Sequence, residues 1–320
     1  MSWFLFALIC VFGWGLADLF YKKSTDETDK FSQYKIAVWV GLIMGVAAIC
    51  MLPFSESVKS FGSFWEGFVK YLPASLGYII SMIVGYAGLR YLEVSVVSPV
   101  QNSSGALSAI AMTVFFIIRG KEIEYGVLDY IGTGVIVVGV IALAVVEQYL
   151  SNKEKTLEVR EEDKKYRLGA LALIFPILYC VFDTIGTAAD GIILDEEVGI
   201  GLGEIDVLII YGFTFMIAGL IVWLYMLIKS KKPYNPFKKT ELNKGVAALC
   251  EEFGQIFYVF AMGANPVLAA PMVASYCVIS VVLSRIFLKE KLKLGQYICI
   301  IAVIAGIIIL GISEGLGEMA

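Results

Sequence analysis

The sequence contains no histidine, which excludes an imidazole base and any His-ligated metal centre. Its six cysteines, Cys10, Cys50, Cys180, Cys250, Cys277 and Cys299, stand singly inside apolar segments without C-x-x-C spacing. That pattern excludes a disulfide framework or a thiol redox site, and each cysteine reads as a small core residue. Charge is scarce as well: Asp, Glu, Lys and Arg make up 17% of the chain, with 25 basic against 29 acidic residues. Without a basic excess, nucleic acid is not a partner. No nucleotide-binding glycine loop and no cluster of metal ligands occurs, so neither a cofactor, a metal nor an enzyme activity is indicated. The first apolar stretch, 1–19, lacks a basic n-region and a small-x-small cleavage site, and reads as a retained helix.

Apolar residues, in contrast, are in surplus. They make up 59% of the chain, against about 45–50% in soluble domains, and the mean hydropathy is +0.81. A bilayer is the solvent in which such a surplus is stable. Crossing its hydrocarbon core takes about 20 apolar residues in a helix. Ten segments meet that length: 3–21, 34–53, 72–90, 94–118, 127–147, 168–193, 205–229, 243–262, 266–288 and 295–313. The fold class is therefore an all-α integral membrane protein of ten transmembrane helices.

The longest polar stretch, 151–167, divides the chain into 1–150 and 168–320, five helices each. The halves share an ordered pattern. SVVSP ends at Pro99 and its helix closes on RGKE, Arg119–Glu122; VLAAP ends at Pro271 and its helix closes on FLKE, Phe287–Glu290. A glycine-punctuated helix follows each. Trp14, Asp18 and Lys22 align with Tyr179, Asp183 and Thr187 at one constant offset. An odd number of helices per half inserts the second copy upside-down, so the halves form two inverted five-helix repeats. The loops that follow odd-numbered helices hold 21 of the 25 Lys and Arg residues. The positive-inside rule places those loops, the 151–167 linker included, in the cytoplasm and both termini outside.

An ionisable group at membrane depth marks a functional site by default. Asp183 lies mid-helix, and Tyr179, Asp183, Thr187 and Asp190 follow at i, i+4, i+8 and i+11 on one face. A carboxylate there is suited to a cationic solute or to a coupling proton; a protonated Asp bonded to a neighbouring helix is the alternative. Asp190 lies nearer the helix end, where an interfacial position is equally consistent. Asp18 is the repeat partner of Asp183, with the alternative of a snorkelling ion pair to Lys22. Glu251, Gln255 and Tyr258 share a face of the eighth helix, Glu252 points about 100° away, and at least one of the two glutamates should meet an aqueous cavity. Glu147 and Gln148 sit at a helix end and read as interfacial.

After Pro99 come Gln101, Asn102, Ser103 and Ser104; after Pro271 come Ser275, Tyr276 and Ser280. A mid-membrane proline frees a carbonyl, and polar neighbours either satisfy it or line a cavity. Gly41, Gly45, Gly77, Ser81 and Gly85 read as helix-packing positions. Trp14 and Tyr179 each stand one turn from a membrane aspartate, an arrangement that holds protonated or quaternary amines.

The run Phe12-Gly-Trp-Gly-Leu-Ala-Asp18 with Lys22, the paired Pro99 and Pro271 helices and the GKE and LKE endings resemble the EamA-type transporters of the drug/metabolite transporter superfamily. The resemblance spans essentially the whole chain. It implies a central cavity bounded by helices 1, 3, 4, 6, 8 and 9, and alternating access for a small organic solute. It also implies termini in the cytoplasm, against the loop charges. Members handling amines combine aromatic and acidic residues, for which Trp14, Asp18, Tyr179, Asp183 and Glu252 stand ready; Gln101, Asn102, Gln255, Tyr258 and Tyr276 complete the predicted substrate site. Asp183 and Glu251 are the predicted proton-coupling residues. A carrier of neutral polar solutes, using Gln101, Asn102, Ser104 and Gln255, and a non-transporting partner subunit are the competing functions. The predicted partners are the bilayer and a small-molecule substrate, with the chain a monomer or a homodimer.

Overall fold

The computed structural model describes residues 2–26, 29–55, 58, 61–89, 94–122, 125–158, 174–231, 233–289 and 292–317. Among them every regular element is helical. In chain order these are α1 (Trp3–Ser24), α2 (Ser32–Met51), α3 (Phe61–Gly88), α4 (Val94–Asn102), α5 (Ser104–Ile118), α6 (Val127–Glu158), α7 (Ile174–Leu194), α8 (Glu204–Ser230), α9 (Leu242–Ala264), α10 (Pro266–Ala274), α11 (Tyr276–Leu283) and α12 (Leu294–Gly317). With α4–α5 and α10–α11 each making one span, ten stretches are long and apolar enough to cross a membrane.

Both composite spans break four residues after their proline, at Ser103 and Ser275. A proline inside a helix removes one backbone bond and crowds the preceding turn. The serines at the breaks bond back onto the preceding turn: Ser103 Oγ donates to Pro99 O at 3.2 Å, and Ser275 Oγ to Met272 O at 2.5 Å. The RGKE ending has a backbone cause too, since Gly120 follows α5 with φ of +82°, a left-handed value that glycine adopts without a Cβ clash.

Two boundaries differ from the sequence reading by about three helical turns, the others by a few residues. The third helix starts at Phe61 instead of 72, and Lys70 and Glu66 pair at 2.7 Å one turn apart on the added stretch. The fifth span continues to Glu158, into the charged linker. From residue 159 the linker lies outside the described residues, as do the side chains of Glu147 and Gln148. Cys50 is exposed, against its reading as a core residue; Cys10, Cys180, Cys277 and Cys299 are buried, and none of the six cysteines forms a disulfide.

The strongest helix pairings are first span with eighth, second with seventh, third with sixth, fourth with ninth, and fifth with tenth. Exchanging each span for the one five places along maps this set of pairs onto itself. Small residues bring the backbones together, since helices in lipid associate by close packing. A Cβ on Gly77 would lie 2.7 Å from Gly186 N, and one on Gly41 would lie 2.5 Å from Phe215 O. The composite ninth span is the most enclosed, whereas α12 presents a run of isoleucines outward.

Candidate functional site: an acidic, aromatic cavity

A cavity opens between the two halves, lined by α1, α3, α4, α5, α7, α8, α9, α10 and α11. Helices 1, 3, 4, 6, 8 and 9 were expected around it; Tyr211 of the seventh span joins them. Of the predicted residues, Trp14, Asp18, Gln101, Asn102, Tyr179, Asp183, Glu251, Gln255, Tyr258 and Tyr276 all line the cavity. Glu252 does not. It is buried at 8% exposure outside the cavity lining, because the 100° step from Glu251 turns it away. Gly85, read as a packing position only, meets the Tyr179 ring and also lines the cavity.

Each aspartate is held by hydroxyls. Asp18 Oδ2 accepts from Ser98 Oγ and Ser280 Oγ, both at 2.7 Å, so one carboxylate clasps α1 to both broken spans. Lys22 reaches another way, donating to the carbonyl of Leu89 at 3.0 Å. Asp183 Oδ2 accepts from Ser104 Oγ at 2.6 Å. Ser98 and Ser104 flank the break in the fourth span, so the proline that opens this helix also sets the hydroxyls against the two carboxylates. Asn102 spends its amide locally, on Ser98 O at 2.8 Å.

The aromatic walls are ordered around Trp14. Its ring lies 5.0 Å from Tyr258 with a 30° tilt and 5.6 Å from Tyr276 at 80°, an edge contact, and its Nε1 donates to Glu251 O at 3.2 Å. Seven tyrosines line the cavity alongside Trp14, and among the described residues no lysine or arginine does. A lining whose described residues bring three carboxyl groups, eight aromatic rings and no basic side chain is complementary to positive charge.

Two amides stand apart. Gln101 Nε2 and Gln255 Nε2 are buried without a hydrogen-bond partner among the described residues, and both side chains line the cavity. A buried donor left unpaired is disfavoured by about 1–3 kcal/mol, which a ligand with an acceptor relieves.

The sequence reading missed Tyr21, Tyr78, Tyr86 and Tyr211, which line the cavity. Tyr71 and Tyr78 are seven apart in α3, and Gly85 follows at the next heptad position, so the face was there to be read. Asp190, left open between interfacial and functional, is fully buried and accepts from Tyr71 Oη at 2.8 Å and Tyr78 Oη at 3.4 Å.

The sequence pattern of the EamA-like transporter family matches residues 1–145 and 198–312. Among solved structures, a protein crystal structure 14% identical in sequence superposes with a TM-score of 0.59, covering 95% of this chain and 95% of that one. At that identity the likeness concerns the fold. No curated protein matches the chain.

Proposed function

This chain belongs to the EamA-like transporter family, and we propose that it carries a small organic cation, an amine, across the membrane by alternating access. The observation that carries the reading is the cavity in which Asp18, Asp183 and Glu251 face aromatic rings, with no basic side chain among the described residues that line it. An ammonium group there gains charge pairing and cation–π contact together, at a depth where water competes weakly. Transport is driven by protons or by exchange. The halves 1–150 and 168–320 act as two inverted repeats whose exchange of conformation opens the cavity to either side. The basic loops lie in the cytoplasm, leaving the termini outside, and the working unit is a monomer or a homodimer.

Uptake of radiolabelled amines into proteoliposomes tests the reading. Asp183→Asn should lower amine uptake by roughly tenfold or more, the usual scale for removing a charge partner at a desolvated site. Wild-type rates in that variant would end the cation-site reading.

The unpartnered amides of Gln101 and Gln255 favour a second reading, a carrier of neutral polar solutes rich in acceptors. Uptake indifferent to the charge of the solute, and lost in Gln255→Leu, would decide for it.

A further inference from the structure

Beyond the end of the cavity, between α3, α7 and α9, lies a carboxylate that the substrate reading does not use. Asp190 is completely buried, and its two oxygens accept from Tyr71 and Tyr78, both on α3. Tyr78 Oη also stands 2.6 Å from Tyr258 Oη and 3.4 Å from Thr187 Oγ1. Tyr78, Tyr258 and Thr187 line the cavity, while Asp190 and Tyr71 do not. A continuous row of hydroxyls therefore joins cavity water to a carboxylate that no solute can touch.

We propose that Asp190 is a proton-binding site that latches α3 to α7 and releases them when it is protonated. The inference rests on the carrier reading and assigns the coupling ion and its residue. The proton moves in balanced steps: Tyr78 passes its hydroxyl proton to Asp190, Tyr258 reprotonates Tyr78, and cavity water reprotonates Tyr258. Both tyrosines end as they began, and one proton has reached the carboxylate. An ionised carboxylate holds its hydroxyl donors about twice as strongly as a neutral group does. Protonation thus weakens the two links between α3 and α7 at the point where Gly77 and Gly186 let these helices touch.

The groups facing this carboxylate are consistent with a proton and not with a fixed ion pair. From α3 come Tyr71 and Tyr78, from α9 Tyr258, from α8 Tyr211, and from its own helix Asp183. The segments α4, α5 and α10, which also pack on α7, contain no titratable side chain. The cations on neighbouring elements are engaged or exposed: Lys70 pairs with Glu66, Lys121 with Asp195 and Lys244 with Glu241, and Arg119 is exposed past the end of α5.

Spin labels at Glu66→Cys and Glu196→Cys, in a background where the six native cysteines are replaced, report the separation of α3 from the end of α7. Both positions are exposed. Double electron–electron resonance on the full-length protein should give one short distance at mildly alkaline pH and an added longer population at mildly acidic pH. Asp190→Asn, which mimics the protonated carboxyl, should show the longer population at both. Tyr71→Phe keeps the carboxyl and removes its shorter hydrogen bond, so the longer population should emerge at a higher pH than in wild type. The proposal is overturned if the wild-type distances ignore pH, or if Asp190→Asn follows pH as wild type does. Should Asp190→Asn fail to fold, a Tyr71→Phe response identical to wild type overturns it equally. No solute is needed for these distances. An absence of amine flux would therefore remove the carrier reading without deciding this one.

Discussion

Ser104 donates its hydroxyl to Asp183 Oδ2 at 2.6 Å, across the gap between the second segment of a broken helix and the middle of an intact one. The contact orients the carboxylate that the amine reading needs most. Ser104→Ala leaves the charge in place and removes its support, which is worth about 1 kcal/mol. The expected outcome is a KM for amine uptake raised roughly fivefold, with kcat little changed. A fall in kcat at unchanged KM would show instead that Ser104 acts in the conformational step.

Asp18 stands in a different position, since both of its hydroxyl donors come from the broken spans. Its carboxylate works as a clasp between α1, α4 and α11. Ser98→Ala and Ser280→Ala each remove one donor from the same oxygen, so their effects on thermal stability in detergent should not add. With one donor gone the other still satisfies the oxygen. With both gone the buried carboxylate is orphaned, and the double variant should lose more than the sum of the single losses, by about 1 kcal/mol or more. Additive losses would mean that the two hydroxyls act independently of Asp18.

The contrast between these aspartates shows what was legible in the sequence. Their depth, their aromatic neighbours and their equivalence between the halves were all visible, because helical period and hydropathy act locally. Their partners were not. Ser98 and Ser280 meet Asp18 only because two prolines break two helices and the pieces converge, which no local pattern encodes. Glu252 shows the opposite failure. Two adjacent glutamates differ by 100° on a helix, and only the position of neighbouring helices decides which one meets the cavity. Asp190 stayed open between a functional and an interfacial reading because it lies near the helix end, while the tyrosines enclosing it come from α3 and α9.

Close approach of α3 and α7 makes a sharp packing prediction. A methyl group added at Gly77 would lie 2.7 Å from the backbone nitrogen of Gly186, and backbone cannot swing aside as a side chain can. Gly77→Ala should destabilise the protein by roughly 1–3 kcal/mol. Gly134→Ala serves as the control, since nothing lies within 4 Å of its added carbon, and there alanine should be neutral or stabilising by up to about 1 kcal/mol. Melting curves in one detergent compare the two directly. Equal effects would mean that the helices separate at no cost.

Outside the membrane, Asp195 joins the loop after α7 to Lys121, the lysine of the RGKE ending. Burial acts to raise its pKa, but the hydrogen bond and charge of Lys121, with the amides of Val198 and Glu197, hold it below the ordinary carboxylate value. A carboxyl depressed on folding contributes stability that is complete above its unfolded value, about 3.9, and lost as pH falls through the folded one. Wild-type stability should therefore decline below about pH 4, and Asp195→Asn should flatten that part of the curve while lowering stability at neutral pH. A variant whose acid limb matches wild type would place the acid sensitivity elsewhere.

Orientation yields the last prediction. The loop between α8 and α9 carries exposed Asn235 amid lysines, and the opposite side of the molecule carries exposed Glu196 in a loop without lysine or arginine. If the positive-inside rule governs this chain, a cysteine at position 235 should resist a membrane-impermeant maleimide in intact cells and react once the cells are opened. A cysteine at 196 should react in both. The reverse pattern would place the termini in the cytoplasm, as the family resemblance implies. The basic loops would then sit outside against the charge rule, and the helix packing of the two halves would have to set the topology in their place.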